Sequence, residues 1–252
     1  MIDCVILAGG LGTRLSPKLR GLPKCAAKVG GKPFLYWILK NLELQGVKDV
    51  TLALGYKSQY IINYIKYYNN TDFSFNFRYN IEEELLGTGG AIKYNIKSIP
   101  FSTEQVLVLN GDSFTRFDLK KLLKIHESNK AVATIQLTEL EDTSEYGSVT
   151  IDKDRVIEFA EKTGEQVSGL INAGIYILNN PEILDYIPEG VVSLEKEVFP
   201  RLVESNKLYA VTDKDDLYDI GTPERLKKAD KFFKDFRRGK NDFSEHIRKA
   251  IL

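Results

Sequence analysis

An apolar run, Cys4-Val5-Ile6-Leu7-Ala8, passes without a break into Gly9-Gly10-Leu11-Gly12-Thr13-Arg14. A buried strand that ends in glycines brings backbone N–H groups close to an anion with no Cβ in the way, so the turn reads as a phosphate cradle. The loop lacks the third glycine of a dinucleotide fingerprint and the Gly-Lys-Ser/Thr ending of a P-loop. Thr13 and Arg14 add a hydroxyl and a guanidinium suited to phosphate oxygens, more than a tight turn alone requires. A strand feeding such a loop belongs to folds in which strands and helices alternate and ligands bind beyond the strands' carboxyl ends.

The rest of the chain keeps to that alternation. Residues 2–8, 50–54, 75–79, 106–109 and 131–137 are short apolar runs that read as buried strands. Leu35, Ile38, Leu39 and Leu42 recur at helical spacing between Pro33 and Gly46, a proline start and a glycine stop. A second helix, over residues 58–68, carries Ile61, Ile62 and Ile65 on one face, and a third, over 119–126, follows Asp118 as its N-cap. From about Tyr146 the strands shorten to 148–152, 156–160 and 171–178, and a charged helical tail begins at Pro223. The expected architecture is a single α/β domain with a Rossmann-like mixed, mainly parallel sheet flanked by helices. It divides into residues 1–145, an elaboration over 146–222 that shapes a substrate pocket, and a tail over 223–252 able to pack against a partner subunit.

With 252 residues and 43% hydrophobic content the chain can bury one sizeable core. Lys+Arg and Asp+Glu each number 35, so no net field draws it to nucleic acid or an anionic membrane, and phosphate binding has to be local. Cys4 and Cys25 show no metal-ligand spacing, which predicts reduced thiols and a cytoplasmic location. Asp3 stands where a signal peptide carries positive charge, and no apolar run approaches the roughly 20 residues that span a bilayer. His126 and His246 lie in helical surroundings without His/Cys/carboxylate spacing, so a structural or surface role is expected and zinc is not. Neither hexapeptide repeats nor low-complexity linkers occur.

Leu7-Ala8-Gly9-Gly10-Leu11-Gly12-Thr13-Arg14-Leu15 followed by Leu22-Pro23-Lys24 resembles the sugar-1-phosphate nucleotidyltransferases, also called nucleotide-sugar pyrophosphorylases. Further stations of the resemblance are Leu86-Gly87-Thr88-Gly89-Gly90-Ala91, Asn110-Gly111-Asp112, Tyr146-Gly147, Phe159-Ala160-Glu161-Lys162, Asn172-Ala173-Gly174-Ile175-Tyr176 and Asp219-Ile220-Gly221-Thr222-Pro223, so it covers most of the chain. The resemblance implies attack by a sugar 1-phosphate oxygen on the α-phosphorus of a nucleoside triphosphate, with pyrophosphate expelled. Such chemistry needs in-line positioning and cations rather than a protein nucleophile, which makes Arg14 and Lys24 the expected catalytic residues. Leu7, Ala8, Gly9, Gly10, Gly12, Thr13, Glu82, Gly87, Thr88 and Asp112 are the expected nucleotide contacts. Asp112 ends the apolar run at 106–109, and Mg²⁺ takes one or two carboxylates plus substrate phosphates. Asp112 and Asp219 therefore form the expected metal pair for Mg²⁺, with Mn²⁺ as a substitute.

On the sugar side the resemblance points to Gly147, Glu161, Lys162 and Asn172, where a carboxylate, an ammonium and an amide suit hydroxyls and a phosphate. Glu82-Glu83-Glu84 precedes the base-binding segment, and a carboxylate can accept the paired N1–H and N2–H₂ donors that guanine alone offers. GTP is accordingly the favoured triphosphate. The stretch Leu22-Pro23-Lys24-Cys25-Ala26-Ala27-Lys28-Val29 and Ser193-Leu194-Glu195-Lys196-Glu197-Val198-Phe199-Pro200 are similar to a bacterial branch acting on D-glycero-α-D-manno-heptose 1-phosphate. The motifs themselves also admit mannose, glucose or another hexose, and uridylyl, thymidylyl or cytidylyl transfer. A non-catalytic nucleotide-sugar sensor on the same fold is the alternative of another class. A metal-dependent glycosyltransferase leaves the glycine loop unexplained.

Overall fold

The computed structural model describes residues 2–10, 12, 15, 19, 21–69, 71–160, 167–214 and 216–238. Its centre is β1 (Asp3–Ala8), lying between β4 (Asp49–Leu54) and β6 (Gln105–Asn110), both parallel to it. Beyond β4 runs β5 (Asn76–Ile81), also parallel. The connections are α1 (Phe34–Leu44), α2 (Ser58–Tyr68) and α3 (Gly87–Ser98). On the other side of β6 come β11 (Gly169–Asn179), β8 (Ala133–Leu140), β12 (Leu208–Asp213), β10 (Arg155–Ala160) and β9 (Ser148–Asp152). The order β5-β4-β1-β6-β11-β8-β12-β10-β9 makes one mixed sheet, parallel through its first four strands. Past β6 only β12 and β8 pair in parallel, and the remaining pairings are antiparallel.

Strand alternation divides the core between the two faces of the sheet. Cys4 and Ile6 of β1 join Leu107 and Leu109 of β6 on one face, under α1. Val5 joins Val106, Val108 and Tyr176 on the other. Both cysteines are buried free thiols, and burial pushes that of Cys25 up to about 12. Helix α4 (Leu119–Ser128) is capped by the Asp118 carboxylate, which accepts from the Lys120 and Lys121 amides at 2.9 and 3.1 Å. His126 on this helix is buried, with Nδ1 3.0 Å from the Thr134 hydroxyl, a structural role as expected. His246 lies outside the described residues.

Several elements differ from the sequence pattern. The strand expected at 75–79 starts at Asn76, because the Phe75 ring is buried and the Asn69 amide holds the Phe75 carbonyl at 3.1 Å. Strand β12 shows little alternation, yet it is inserted between β8 and β10. Two ribbons of two-residue strands are too short for any periodicity: β2 (Lys28–Val29) with β3 (Lys32–Pro33), and β7 (Ser113–Phe114) with β13 (Tyr218–Asp219). A π-helical turn at Leu194–Val198 leads into α5 (Phe199–Glu204).

The described part of the tail is α6 (Pro223–Arg237), whose apolar face packs inward. It is capped by Thr222 and buries Ala229, Phe233 and Phe236 against the chain's own core, where Phe233 stacks on Trp37 at 4.4 Å. Residues 239–252 lie outside the described residues. No helix among the described residues is long and apolar enough to cross a membrane.

Candidate active site

Two cavities open beyond the carboxyl ends of β1 and β6, and they share a wall made by Lys24, Asn110 and Asp112. The first, about 250 Å³, is floored by Leu7, Ala8, Gly9 and Gly10 at the end of β1 and walled by Glu82, Gly87, Thr88 and Ala91. Its glycines have distinct reasons. A Cβ on Gly111 would meet the Leu7 carbonyl oxygen at 2.6 Å, so only glycine lets the end of β6 close on that of β1. At Gly10 a Cβ would meet nothing within 4 Å, leaving its Cα face open. Gly12 lines neither cavity; its left-handed φ of 60° turns the chain beneath Lys24, where a Cβ would lie 3.1 Å from that of the lysine. Of the acidic triplet only Glu82 faces the first cavity. Burial pushes its carboxyl above the usual range, an effect reduced by a backbone hydrogen bond from Leu86.

The N-terminus of α3 is partly used up within the protein. The Gly89 and Gly90 amides donate to the Val192 carbonyl, at 2.8 and 3.3 Å. The Thr88 hydroxyl accepts from the Leu194 amide at 2.8 Å and donates to Glu195 Oε2 at 2.9 Å. Thr88 therefore lines the cavity with its side chain already engaged.

The second cavity, about 350 Å³, is bounded by Tyr146, Gly147, Asn172, Glu195, Asp219 and Arg225, among others. Lys24, on a 3-10 turn after Pro23, pairs with Asp112 at the junction of the two cavities. Asp112 and Asp219, 107 positions apart, meet because β7 and β13 pair: Ser113 faces Asp219, and the Ile220 amide donates to the Asp112 carbonyl at 3.1 Å. Asp219 is closely held. Its Oδ1 accepts from the Gly221 amide at 2.8 Å and from Arg225 at 3.2 Å, and its Oδ2 accepts from the Tyr146 hydroxyl at 2.5 Å. Burial and the Asp219 carboxylate both push the Tyr146 hydroxyl above its ordinary value, so it remains a donor. Arg225 also pairs with Glu145 and lies 4.4 Å from the centre of the Tyr146 ring.

A bulge in β11 between Asn172 and Tyr176 brings Gly174, at φ 77°, against Asn110; a Cβ there would meet the asparagine nitrogen at 2.8 Å. The Asn172 amide donates to the Tyr176 hydroxyl at 2.9 Å and accepts from the Gly174 amide at 2.9 Å. Gly147 permits close passage of β10, since a Cβ would sit 2.7 Å from the Ala160 carbonyl oxygen.

Of the residues expected from the sequence, Leu7, Ala8, Gly9, Gly10, Lys24, Glu82, Gly87, Thr88 and Asp112 come together in the first cavity, and Gly147, Asn172 and Asp219 join Lys24 and Asp112 in the second. Thr13, Arg14, Glu161 and Lys162 lie outside the described residues. Sequence reasoning assigned no individual role to Asn110, Tyr146, Tyr176, Glu195 or Arg225. The first four fall inside quoted motifs, which was the available signal; Arg225 follows its motif by two residues and carried none.

Comparison with known proteins gives this arrangement its context. The family model described as Nucleotidyl transferase matches residues 3–235. The chain belongs to that family. Among its relatives, the D-glycero-alpha-D-manno-heptose 1-phosphate guanylyltransferase of Campylobacter jejuni is 40% identical over 224 residues, 88% of this chain and 96% of that protein. The crystal structure of HddC from Yersinia pseudotuberculosis complexed with GMP-PN is 39% identical with a TM-score of 0.79, covering 92% of this chain and 100% of that one. The chain spans about three-fifths of the length of the mannose-1-phosphate guanyltransferases it matches; it is 36% identical to that of Pichia angusta over 222 residues, 87% of this chain and 60% of that protein.

Proposed function

We propose that this nucleotidyl transferase moves a guanosine monophosphate group from GTP to a sugar 1-phosphate, with D-glycero-α-D-manno-heptose 1-phosphate the favoured acceptor. The observation that carries the reading is the wall common to the two cavities, where Lys24 and Asp112 face both. GTP takes the first cavity and the sugar 1-phosphate the second. An oxygen of the sugar phosphate then attacks the α-phosphorus, a new P–O bond forms, and the bond to the β-phosphate breaks to release pyrophosphate. Charge develops at the wall, and the Lys24 ammonium held there stabilises it without forming a covalent bond. Arg14 completes the cationic side on the triphosphate. Glu82 accepts from the guanine N1–H and N2–H₂ pair, with Gly87 and Thr88 beside the base.

Asp112 and Asp219 fit a divalent cation: two carboxylates line one cavity beside the shared wall, and each retains lone pairs beyond its protein hydrogen bonds. They are the residues that would hold Mg²⁺ or Mn²⁺. When bound, the ion neutralises phosphate charge that lysine and arginine alone would leave in excess. Residues 1–145 form the nucleotide-binding half and 146–222 the sugar-phosphate half, where Gly147, Glu161, Lys162 and Asn172 receive the acceptor. The enzyme belongs in the cytoplasm, where a GDP-heptose would be made for a surface glycan, and self-association remains compatible with the surface left by α6.

Purified protein incubated with each triphosphate, Mg²⁺ and a panel of sugar 1-phosphates, read by pyrophosphate release, tests the assignment. GTP with the heptose 1-phosphate should be the best pair. Preference for UTP, dTTP or CTP would overturn the base, and preference for mannose 1-phosphate, the acceptor named for the Pichia angusta relative, would overturn the sugar. Nucleotide binding without turnover in any mixture would make the chain a sensor.

A further inference from the structure

The walls of the two cavities are joined by one polar chain, half-buried except at its centre, Tyr176. From the nucleotide side, the Thr88 hydroxyl donates to Glu195 Oε2 at 2.9 Å. From the other side, the Tyr176 hydroxyl donates to Glu195 Oε1 at 3.2 Å and itself accepts from Asn172 at 2.9 Å and from Asn110 at 3.4 Å. Ser193 adds a second donor to Oε2 at 2.9 Å. Tyr176 is fully buried, and burial together with the Glu195 carboxylate pushes its hydroxyl well above the ordinary value. It is therefore held as a permanent donor.

A backbone strap runs parallel to this chain. The Val192 amide donates to the Leu86 carbonyl at 2.8 Å, while the Val192 carbonyl accepts from Gly89 and Gly90. Gly87, at φ 72°, is pressed so closely to Val192 that a Cβ would lie 2.4 Å from its carbonyl oxygen. The first turn of α3 is thus tied to residues 192–195, and those to Tyr176 and Asn172.

We infer that Glu195 is a positioning residue that couples the two binding sites, so that a nucleotide seated against Thr88 sets the geometry of the sugar-phosphate wall through Tyr176 and Asn172. The inference rests on the allocation of GTP and sugar phosphate to the first and second cavities. A coupling of this kind is reciprocal: whatever factor nucleotide adds to sugar-phosphate affinity, sugar phosphate adds to nucleotide affinity, commonly about 5- to 150-fold.

Calorimetric titration with the α,β-methylene analogue of GTP, which cannot transfer its nucleotidyl group, measures that factor. The second ligand is D-glycero-α-D-manno-heptose 1-phosphate or α-D-mannose 1-phosphate, whichever binds. Binding of each ligand is compared with and without the other. In the unmodified protein each should bind several-fold tighter in the presence of its counterpart. Thr88→Val and Glu195→Ala should bring the factor close to one with the thermal midpoint of Thr88→Val little changed, and Thr88→Ser, which keeps the hydroxyl, should restore it. Absence of coupling in the unmodified protein, or a factor untouched by Thr88→Val, overturns the inference. The allocation has its own control. Gly10→Val fills open space in the first cavity and should weaken the GTP analogue alone; if it weakens the sugar phosphate instead, the allocation is wrong, whereas a normal Gly10→Val result with an unchanged factor in Thr88→Val removes only the coupling.

Discussion

Lys24 is 18% exposed and its partner Asp112 39%, so the pair sits in a cleft that bound substrates would close further. On the proposed allocation of substrates, its worth is in aiming an ammonium at the wall common to the two cavities. Removing one such preorganised donor costs on the order of 10²–10³ in kcat. Lys24→Met should show that loss in single-turnover pyrophosphate release while the GTP dissociation constant changes far less; equal losses in binding and rate would make Lys24 a binding residue only. Arg225 lies one step further out, hydrogen-bonded to Asp219, the proposed metal ligand. Loss of a group that orients a metal ligand lowers metal affinity by about 10- to 100-fold. Arg225→Gln should therefore weaken Mn²⁺ binding, read by paramagnetic resonance in the presence of GTP, and unchanged Mn²⁺ binding would detach Arg225 from any role toward Asp219. The contrast between these residues explains what the sequence made legible. Lys24, Asp112 and Asp219 stand within motifs whose chemistry needs their charge. Arg225 and Glu195 matter through partners 80 and 107 positions away, Glu145 and Thr88, and no local pattern encodes that meeting.

At the scale of elements, α1, α2 and α4 were legible because each buries a periodic face, with a recognisable start or stop at α1 (Pro33, Gly46) and α4 (Asp118), and β1 because its apolar run stops at glycines. The β7–β13 ribbon was not, since strands of two residues have no period, yet it is the element that brings the two aspartates together. Its companion, the β2–β3 turn, fixes α6 in place. Gly30, at φ 57°, donates to Asp230 at 2.9 Å and accepts from Arg237 at 2.7 Å, and a Cβ there would lie 2.6 Å from that of Phe233. Both the left-handed backbone and the lack of space resist substitution. Gly30→Ala should destabilise the protein by roughly 1–3 kcal/mol, combining overpacking with backbone strain. Urea unfolding gives the measurement, and an unchanged midpoint would mean that α6 docks by other contacts. Because α6 begins just after Asp219, the same variant should also lower activity at temperatures where it remains folded.

Across the whole molecule, β4, β1 and β6 of the parallel block present continuous apolar runs that betray strands buried on both faces, while β5 at its edge is half-exposed. The mixed block beyond β6 combines half-exposed strands with a strand inserted out of sequence order, and so its existence was legible but its order was not. The two blocks meet in a core whose stability depends on pH in a way the buried groups decide. His126, wedged between α4 and β8 with Nε2 unpartnered, is lowered by burial from 6.5 to about 4. Between those values an unfolded chain binds a proton that the native protein refuses, so stability falls as the pH drops from about 6.5 to about 4, with a slope of one proton. Asp3 extends the trend. Burial pushes its carboxyl up, but hydrogen bonds from the Ser102 hydroxyl and amide and the neighbouring Arg78 outweigh this and hold it below 3.8. Stability from Asp3 is present above that value and is lost as the pH falls past it. Glu82, raised by burial, works in the opposite sense and partly offsets the loss. The contribution of His126 is isolated by difference: unfolding free energies of the unmodified protein and His126→Gln, measured by urea titration from pH 7.5 to 4, should diverge in slope below pH 6.5 by about one proton, with the variant the flatter. Parallel curves through that window would mean that the native protein admits the proton as readily as the unfolded chain, and that the α4–β8 contact is looser than its buried imidazole implies.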